Sequence, residues 1–248
     1  MITGAASGIG LAAASAFTQL GARVFLADRN EAALSRALAE TGADGACHAD
    51  VTSESDCVDM IAKARHALGG LDGLFHSAGV GDRVATAFEL ALDEWERIVD
   101  INLKGTFLSA RAAGRLFVDQ GHGSVVTVAS VLGLGGIPRR VAYGPAKAAV
   151  VMLTRNLACE WGAAGVRINC LAPGYIRTPL VDALVAERKF DLARIERRTP
   201  MGRLGTADDV AAAAAFLLSD MAGFITGATL AVDGGWTAYS GAGDVASA

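Results

Sequence analysis

The sequence predicts an α/β chain, a doubly wound parallel sheet with helices on both faces, forming a single domain over residues 1–248. Two observations carry this. Short apolar runs rich in β-branched residues alternate with longer alanine-rich helical runs, and that alternation builds βαβ units. Runs such as SVVTVA are apolar on both sides, as strands covered on both faces must be. No linker or composition break divides the chain.

Taken in order, the glycine-rich turn TGAASGIG at 3–10 comes first and runs straight into a helix over 9–20. Only Met1 and Ile2 precede it, where a central strand supplies about five residues. The first strand is therefore expected to be stunted, or the chain shortened there. Apolar runs predict further strands at 23–27, 73–77, 124–129, 167–172 and 229–232. Helices are expected at 30–41, 53–68, 93–120, 143–162 and 207–218. Ser53 with Asp56 three residues on has the spacing of a capping box, with Asp for the usual Glu. Gly144 and Pro145 fall in the first turn of the 143–162 helix, where a missing N–H has no partner to lose. The charged stretch 174–198 has no clear periodicity and is expected to be a mobile substrate loop.

Composition narrows the function. Hydrophobic residues make up 52% and charged residues 19%, enough for a sizeable core and too apolar for disorder. A net charge of -4 argues against nucleic acid or an anionic membrane surface as the partner. The longest apolar run, 210–218, is about half of a bilayer span, and the first residues lack the pattern of a signal peptide. Cys47, Cys57, Cys159 and Cys170 form no CxxC pair and no metal-ligand spacing with the four histidines. The expectation is a cytoplasmic protein with reduced thiols and no metal.

The glycine turn points to a nucleotide. Gly4 can adopt a backbone conformation closed to other residues, and Gly8 and Gly10 let the main chain approach a pyrophosphate. The helix that follows offers free N–H groups and a partial positive charge. Asp28, at the end of the second strand, can accept hydrogen bonds from both ribose hydroxyls of an adenosine. A 2′-phosphate there would meet repulsion of about 4 kcal/mol per unit charge at close range and intermediate dielectric. NAD is therefore favoured over NADP, although the adjacent Arg29 could pair with such a phosphate.

Tyr143 and Lys147 lie four residues apart and so share one helix face. A nearby ammonium and a positive nicotinamide ring would both favour the phenolate, so the Tyr143 phenol is expected below its usual value of about 10. It could then take the proton of a substrate hydroxyl. Ser130, at the end of the fifth strand, can orient the substrate oxygen.

The spacing of TGAASGIG, with Ser130 and the Tyr143-x-x-x-Lys147 pair, resembles the short-chain dehydrogenase/reductase family. The resemblance covers essentially the whole chain and implies a Rossmann-like fold. Asn102 in NLKG, Ser130, Tyr143 and Lys147 match the catalytic tetrad, with Asn102 supporting a water chain that relays the proton past Lys147. Lys147 would also hold the nicotinamide ribose. Implied cofactor contacts are Gly4, Ser7, Gly8, Ile9 and Gly10 in the turn, Asp28 and Arg29 after the second strand, and Asp50 with Val51 in DVT. Ala78 and Gly79 in HSAG, Tyr143 and Lys147 themselves, and Pro173, Gly174, Ile176 and Thr178 in PGYIRT complete the set. His76 departs from the family by replacing an asparagine, and is expected to be structural, making one hydrogen bond as donor and one as acceptor.

The activity implied is hydride transfer between a nicotinamide cofactor and a secondary alcohol or ketone, with polyols and sugars as leading candidates. A 3-oxoacyl thioester reductase using NADP is one alternative, and a nucleotide-binding regulatory protein without turnover another. Arg139 and Arg140, just ahead of Tyr143, could meet an anionic substrate or lie exposed. The family implies a homotetramer or homodimer, whose helix contacts the small residues Ala110, Ala112, Ala113, Gly114, Ala148 and Ala149 would suit unless they pack on the sheet.

Overall fold

The computed structural model describes residues 1–178, 181, 191–241 and 243–245. Of the segment expected to be a mobile substrate loop, 174–198, residues 179–180 and 182–190 lie outside the described residues. Seven parallel strands form one sheet in the order β3-β2-β1-β4-β5-β6-β7. They are β1 Ile2–Thr3, β2 Phe25–Asp28, β3 Gly45–His48, β4 Gly73–His76, β5 Gly123–Val128, β6 Val166–Pro173 and β7 Thr229–Val232. The helices are α1 Gly8–Gln19, α2 Glu31–Thr41, α3 Glu54–Leu68, α4 Leu92–Val99, α5 Gly105–Gln120, α6 Tyr143–Trp161, α7 Leu192–Arg198 and α8 Ala207–Leu218.

Successive strand residues feed opposite sides of the sheet, as a period of two requires. Leu74, Val125 and Ile168 pack with Met60, Ile61 and Phe117 on the α3/α5 side. Phe75, Val126 and Leu171 pack with Ala13, Phe17, Val210 and Leu217 on the α1/α8 side. Strand order reverses between β1 and β4, and in open parallel sheets a ligand binds at such a switch point, beyond the carboxyl ends of the strands. β1 is short, as expected, yet central: Ile2 pairs with Leu26 on one side and Phe75 on the other.

Three expectations needed correction. β3 was not anticipated, because GACH carries no β-branched residue. It pairs with β2 alone and closes the sheet edge. The single helix expected over 93–120 is two, α4 and α5, joined by a π-helical turn at Asp100–Lys104. The Asn102 side chain opens that turn, donating to the Ile98 carbonyl at 3.0 Å and to the Val80 carbonyl at 2.9 Å. Such bulges inside helices concentrate at functional sites. The capping box at Ser53 is half formed: Ser53 accepts the Asp56 N–H, but the Asp56 carboxylate accepts the Ser53 hydroxyl and the Asp50 N–H, not the Ser53 N–H. A complete box closes α8, between Thr206 and Asp209.

Among the described residues, no helix is long and apolar enough to cross a membrane, and no three His, Cys, Asp or Glu side chains gather as a metal cluster. The four cysteines are unpaired.

Candidate active site

The carboxyl ends of β1, β2 and β4 open into a cavity of about 490 Å³. Its floor is the glycine turn. Gly4 has φ 64°, and a Cβ there would stand 2.7 Å from the Ala78 Cα, so only glycine lets β1 and β4 approach this closely. Gly10 lies outside the lining and packs closely behind it: a Cβ would run into the Gly4 carbonyl. The α1 N-terminus faces the cavity with no side-chain cap, whereas Asn30, Ser53, Asp191 and Thr206 cap α2, α3, α7 and α8. Uncapped N–H groups beside a cavity suit an anion.

Gly4, Ser7, Gly8, Ile9, Asp28, Arg29, Asp50, Val51, Ala78, Gly79 and Thr178 all line this cavity, as expected from the sequence. The Asp28 carboxylate is held by the Ala6 N–H at 3.1 Å and the Asn30 N–H at 2.9 Å. Asp50 turns one carboxylate oxygen onto the Thr52 N–H and hydroxyl, both at 2.8 Å. Pro173, Gly174 and Ile176 are not in the lining. Gly174 packs against Asp233, and Ile176 is buried with its tip against Gly205. Ala6, Asn30, Ala49, Ser77, Val80 and Ile101 line the cavity without having been anticipated; adjacency to Asp28 and to the HSAG turn was the signal available for Asn30, Ser77 and Val80.

The four polar residues converge beside it. Asn102, Ser130 and Lys147 are buried. The Lys147 ammonium sits 5.5 Å from the centre of the Tyr143 ring and donates to the Val128 carbonyl at 2.8 Å. A methyl on Gly79 would lie 2.8 Å from Asn102 Oδ1 and 3.3 Å from Lys147 Nζ, so both reach the same point. Ser130 lies two residues past the end of β5 and caps a short 3-10 turn, accepting the Leu132 N–H at 3.2 Å. Burial pulls Lys147 down to about 8, which leaves it largely protonated at neutral pH.

The Tyr143 phenol lies above, not below, its ordinary value. Burial pushes it above its ordinary value, opposed by the Ser130 hydroxyl and the Arg140 guanidinium and aided by the Asp82 carboxylate. Nor is Arg140 exposed for an anionic substrate: its guanidinium donates to Asp82 Oδ1 at 2.6 Å and to the Asp82 carbonyl at 2.8 Å. Arg139 lies 3.7 Å from Glu89.

His76 is structural, with half the expected bonding. Its Nδ1 meets the Thr3 hydroxyl at 3.0 Å, while Nε2 is buried without a partner. Burial drives the imidazole down to about 3, with Lys147 adding to the effect. Because the folded value lies below the ordinary 6.5, the stability from the neutral ring is fully present above pH 6.5 and drains away as pH falls toward 3. Replacing His76 by Asn should remove this slope. Urea unfolding at pH 6 and pH 4 should show the parent losing roughly 1.4 kcal/mol more per pH unit than His76→Asn; equal losses would show the ring to be already charged or solvated.

Comparisons with known proteins bear on the family and the fold. A family model described as enoyl-(acyl carrier protein) reductase matches residues 4–237. The cis-4-hydroxycyclohexanecarboxylate dehydrogenase of Sinomonas cyclohexanicum is 41% identical over 241 residues, 96% of each chain. The galactitol 2-dehydrogenase (L-tagatose-forming) of Cereibacter sphaeroides is 41% identical over 242 residues, 96% of this chain and 94% of that one. An NAD+-bound xylitol dehydrogenase superposes with a TM-score of 0.88 at 31% identity, covering 94% of this chain and 96% of the other. A short-chain type dehydrogenase/reductase from Mycobacterium ulcerans does so with 0.91 at 34%, covering 97% and 90%. With this agreement in sequence and fold, the chain belongs to the short-chain dehydrogenase/reductase family.

Proposed function

We propose that this oxidoreductase of secondary alcohols and ketones oxidises a polyol, sugar or ring alcohol with NAD, using Asn102, Ser130, Tyr143 and Lys147. The carrying observation is the convergence of these side chains, with Lys147 under the Tyr143 ring and Asn102 reaching the same point beside Gly79. The dehydrogenases of galactitol and of a hydroxylated cyclohexane among its relatives support the substrate class.

The lining suits a dinucleotide: the uncapped α1 N-terminus would hold the pyrophosphate, Asp28 the adenosine ribose, and Lys147, beside the cavity, the nicotinamide ribose. When bound, the cofactor supplies the two-electron chemistry. The chain supplies the proton path. Ser130 donates a hydrogen bond to the substrate oxygen and orients it. Tyr143 takes the hydroxyl proton, helped by the Ser130 hydroxyl and the Arg140 guanidinium against the burial that holds the phenol neutral. The Lys147 ammonium and Asn102 carry that proton toward solvent through water.

NAD is favoured because the Asp28 carboxylate lines the cavity and would repel a 2′-phosphate; Arg29 in the same lining is the argument for NADP and for the 3-oxoacyl reductase alternative. In Asp28→Ala the KM for NAD should rise about tenfold and the preference over NADP should narrow, since a ribose partner and a repulsive charge go together. Initial rates with both cofactors check it, and an unchanged ratio would remove Asp28 from cofactor choice. We read residues 1–248 as one cytoplasmic nucleotide-binding domain that assembles as a homotetramer or homodimer. Ala110, Ala113 and Gly114 are buried within the chain, leaving Ala112, Ala148 and Ala149 for a helix contact.

A further inference from the structure

The residues that deliver Tyr143 into the site are tied, one after another, to the segment following β4. Ala85 N–H donates to the Arg139 carbonyl at 3.3 Å. Trp95 Nε1 donates to the Val141 carbonyl at 3.2 Å. The Asp82 carboxylate spans the rest: one oxygen takes the Arg140 guanidinium at 2.6 Å, the other the Tyr143 N–H at 3.0 Å. Its side chain is only 1% exposed, that of Arg140 26%.

Two facts show how much rests on this contact. Arg139 has φ 67°, the one non-glycine residue in the left-handed region among the described residues. Such strain persists only where the surroundings over-determine it. The first turn of α6 also has no side-chain cap on its cap residue. Its donors are satisfied nonetheless: Tyr143 N–H by Asp82, Gly144 N–H by the Arg140 carbonyl, and Pro145 has none.

We propose that Asp82 is a positioning residue for proton transfer at Tyr143: locked by Arg140, its carboxylate anchors the first turn of α6 and balances the charge facing the phenol. This rests on the reading of Tyr143 given above. The charged and titratable groups around the phenol are Asp82 and Arg140, which act on it in opposite directions, and Lys147 on α6 beneath its ring. Behind Lys147 stand His76 on β4 and Cys170 on β6, and Arg140 also acts on Tyr175. Removing either member of the pair therefore moves the phenol titration in a direction set by the charge left behind.

The test needs no substrate. Phenolate ultraviolet absorbance is titrated for the parent, Asp82→Asn, Arg140→Gln and the double variant, each against its own Tyr143→Phe counterpart. Asp82→Asn keeps an oxygen for the Tyr143 N–H and leaves Arg140 unbalanced, so the midpoint should fall by about one pH unit. Arg140→Gln leaves the carboxylate unbalanced, so the midpoint should rise by about as much, and the double variant should return close to the parent. With a substrate in hand, Asp82→Ala should lower kcat roughly tenfold to a hundredfold through misplacement of the ring, with NADH affinity by fluorescence within about twofold. Asp82→Asn should recover part of that loss. Single-variant midpoints that stay with the parent, or move in the same direction, would overturn the proposal while leaving Tyr143 as the proton carrier. A Tyr143→Phe enzyme with full turnover would instead defeat the reading on which it rests.

Discussion

Tyr143→Phe should lower kcat by about three orders of magnitude while NADH binds within about twofold of the parent. General acid–base transfer contributes roughly 10²–10⁴-fold, and removing one hydroxyl takes the proton acceptor away without touching the glycine turn. The ring remains, so the Lys147 ammonium keeps the face it rests against and α6 keeps its first turn. Single-turnover rates with NAD, together with NADH fluorescence, separate the two effects. A fall in affinity matching the fall in kcat would mean that Tyr143 mainly holds the cofactor.

The opposite split is expected at Gly4. A Cβ there would stand 2.7 Å from the Ala78 Cα and 2.8 Å from its N, and the left-handed backbone at φ 64° costs an alanine roughly 1–2 kcal/mol on its own. Both contacts are with backbone, so no rotamer relieves them, and β1 must move away from β4 at the switch point. Gly4→Ala should therefore weaken NADH binding by at least about a hundredfold, with a lower unfolding midpoint. Calorimetry of NADH binding and thermal unfolding measure these. Near-parental affinity would remove the close β1–β4 approach from the account of the cofactor site.

These two positions also show why much of the site was legible in the sequence. The glycine turn and the Tyr143/Lys147 pair are local: the residues that act together lie within one turn or one helix face, and short-range spacing reports them. β5 and β6 were equally plain, because strands covered on both faces are continuous apolar runs. What could not be read depends on contacts between distant segments. Asp82 reaches the Tyr143 N–H across 61 positions, and nothing in VGDRV marks it as a partner of α6. The π-helical turn holds the Asn102 side chain that bonds Val80, 22 positions away, a contact that the helical pattern of 93–120 conceals. The edge strand β3 is defined by pairing with β2, not by its own residues. The direction of the Tyr143 shift was missed for the same reason: spacing shows the ammonium, but not the burial that raises the phenol.

The central claim is that this site oxidises an alcohol by way of the Tyr143 phenol. Polyols, sugars, hydroxysteroids and oxo-esters incubated with NAD and with NADP, with turnover followed through the nicotinamide absorbance, test it most directly. We expect NAD-linked turnover of at least one polyol, sugar or ring alcohol, lost in Tyr143→Phe. Tight NAD binding with no turnover of any compound would contradict the claim and favour a regulatory nucleotide-binding protein.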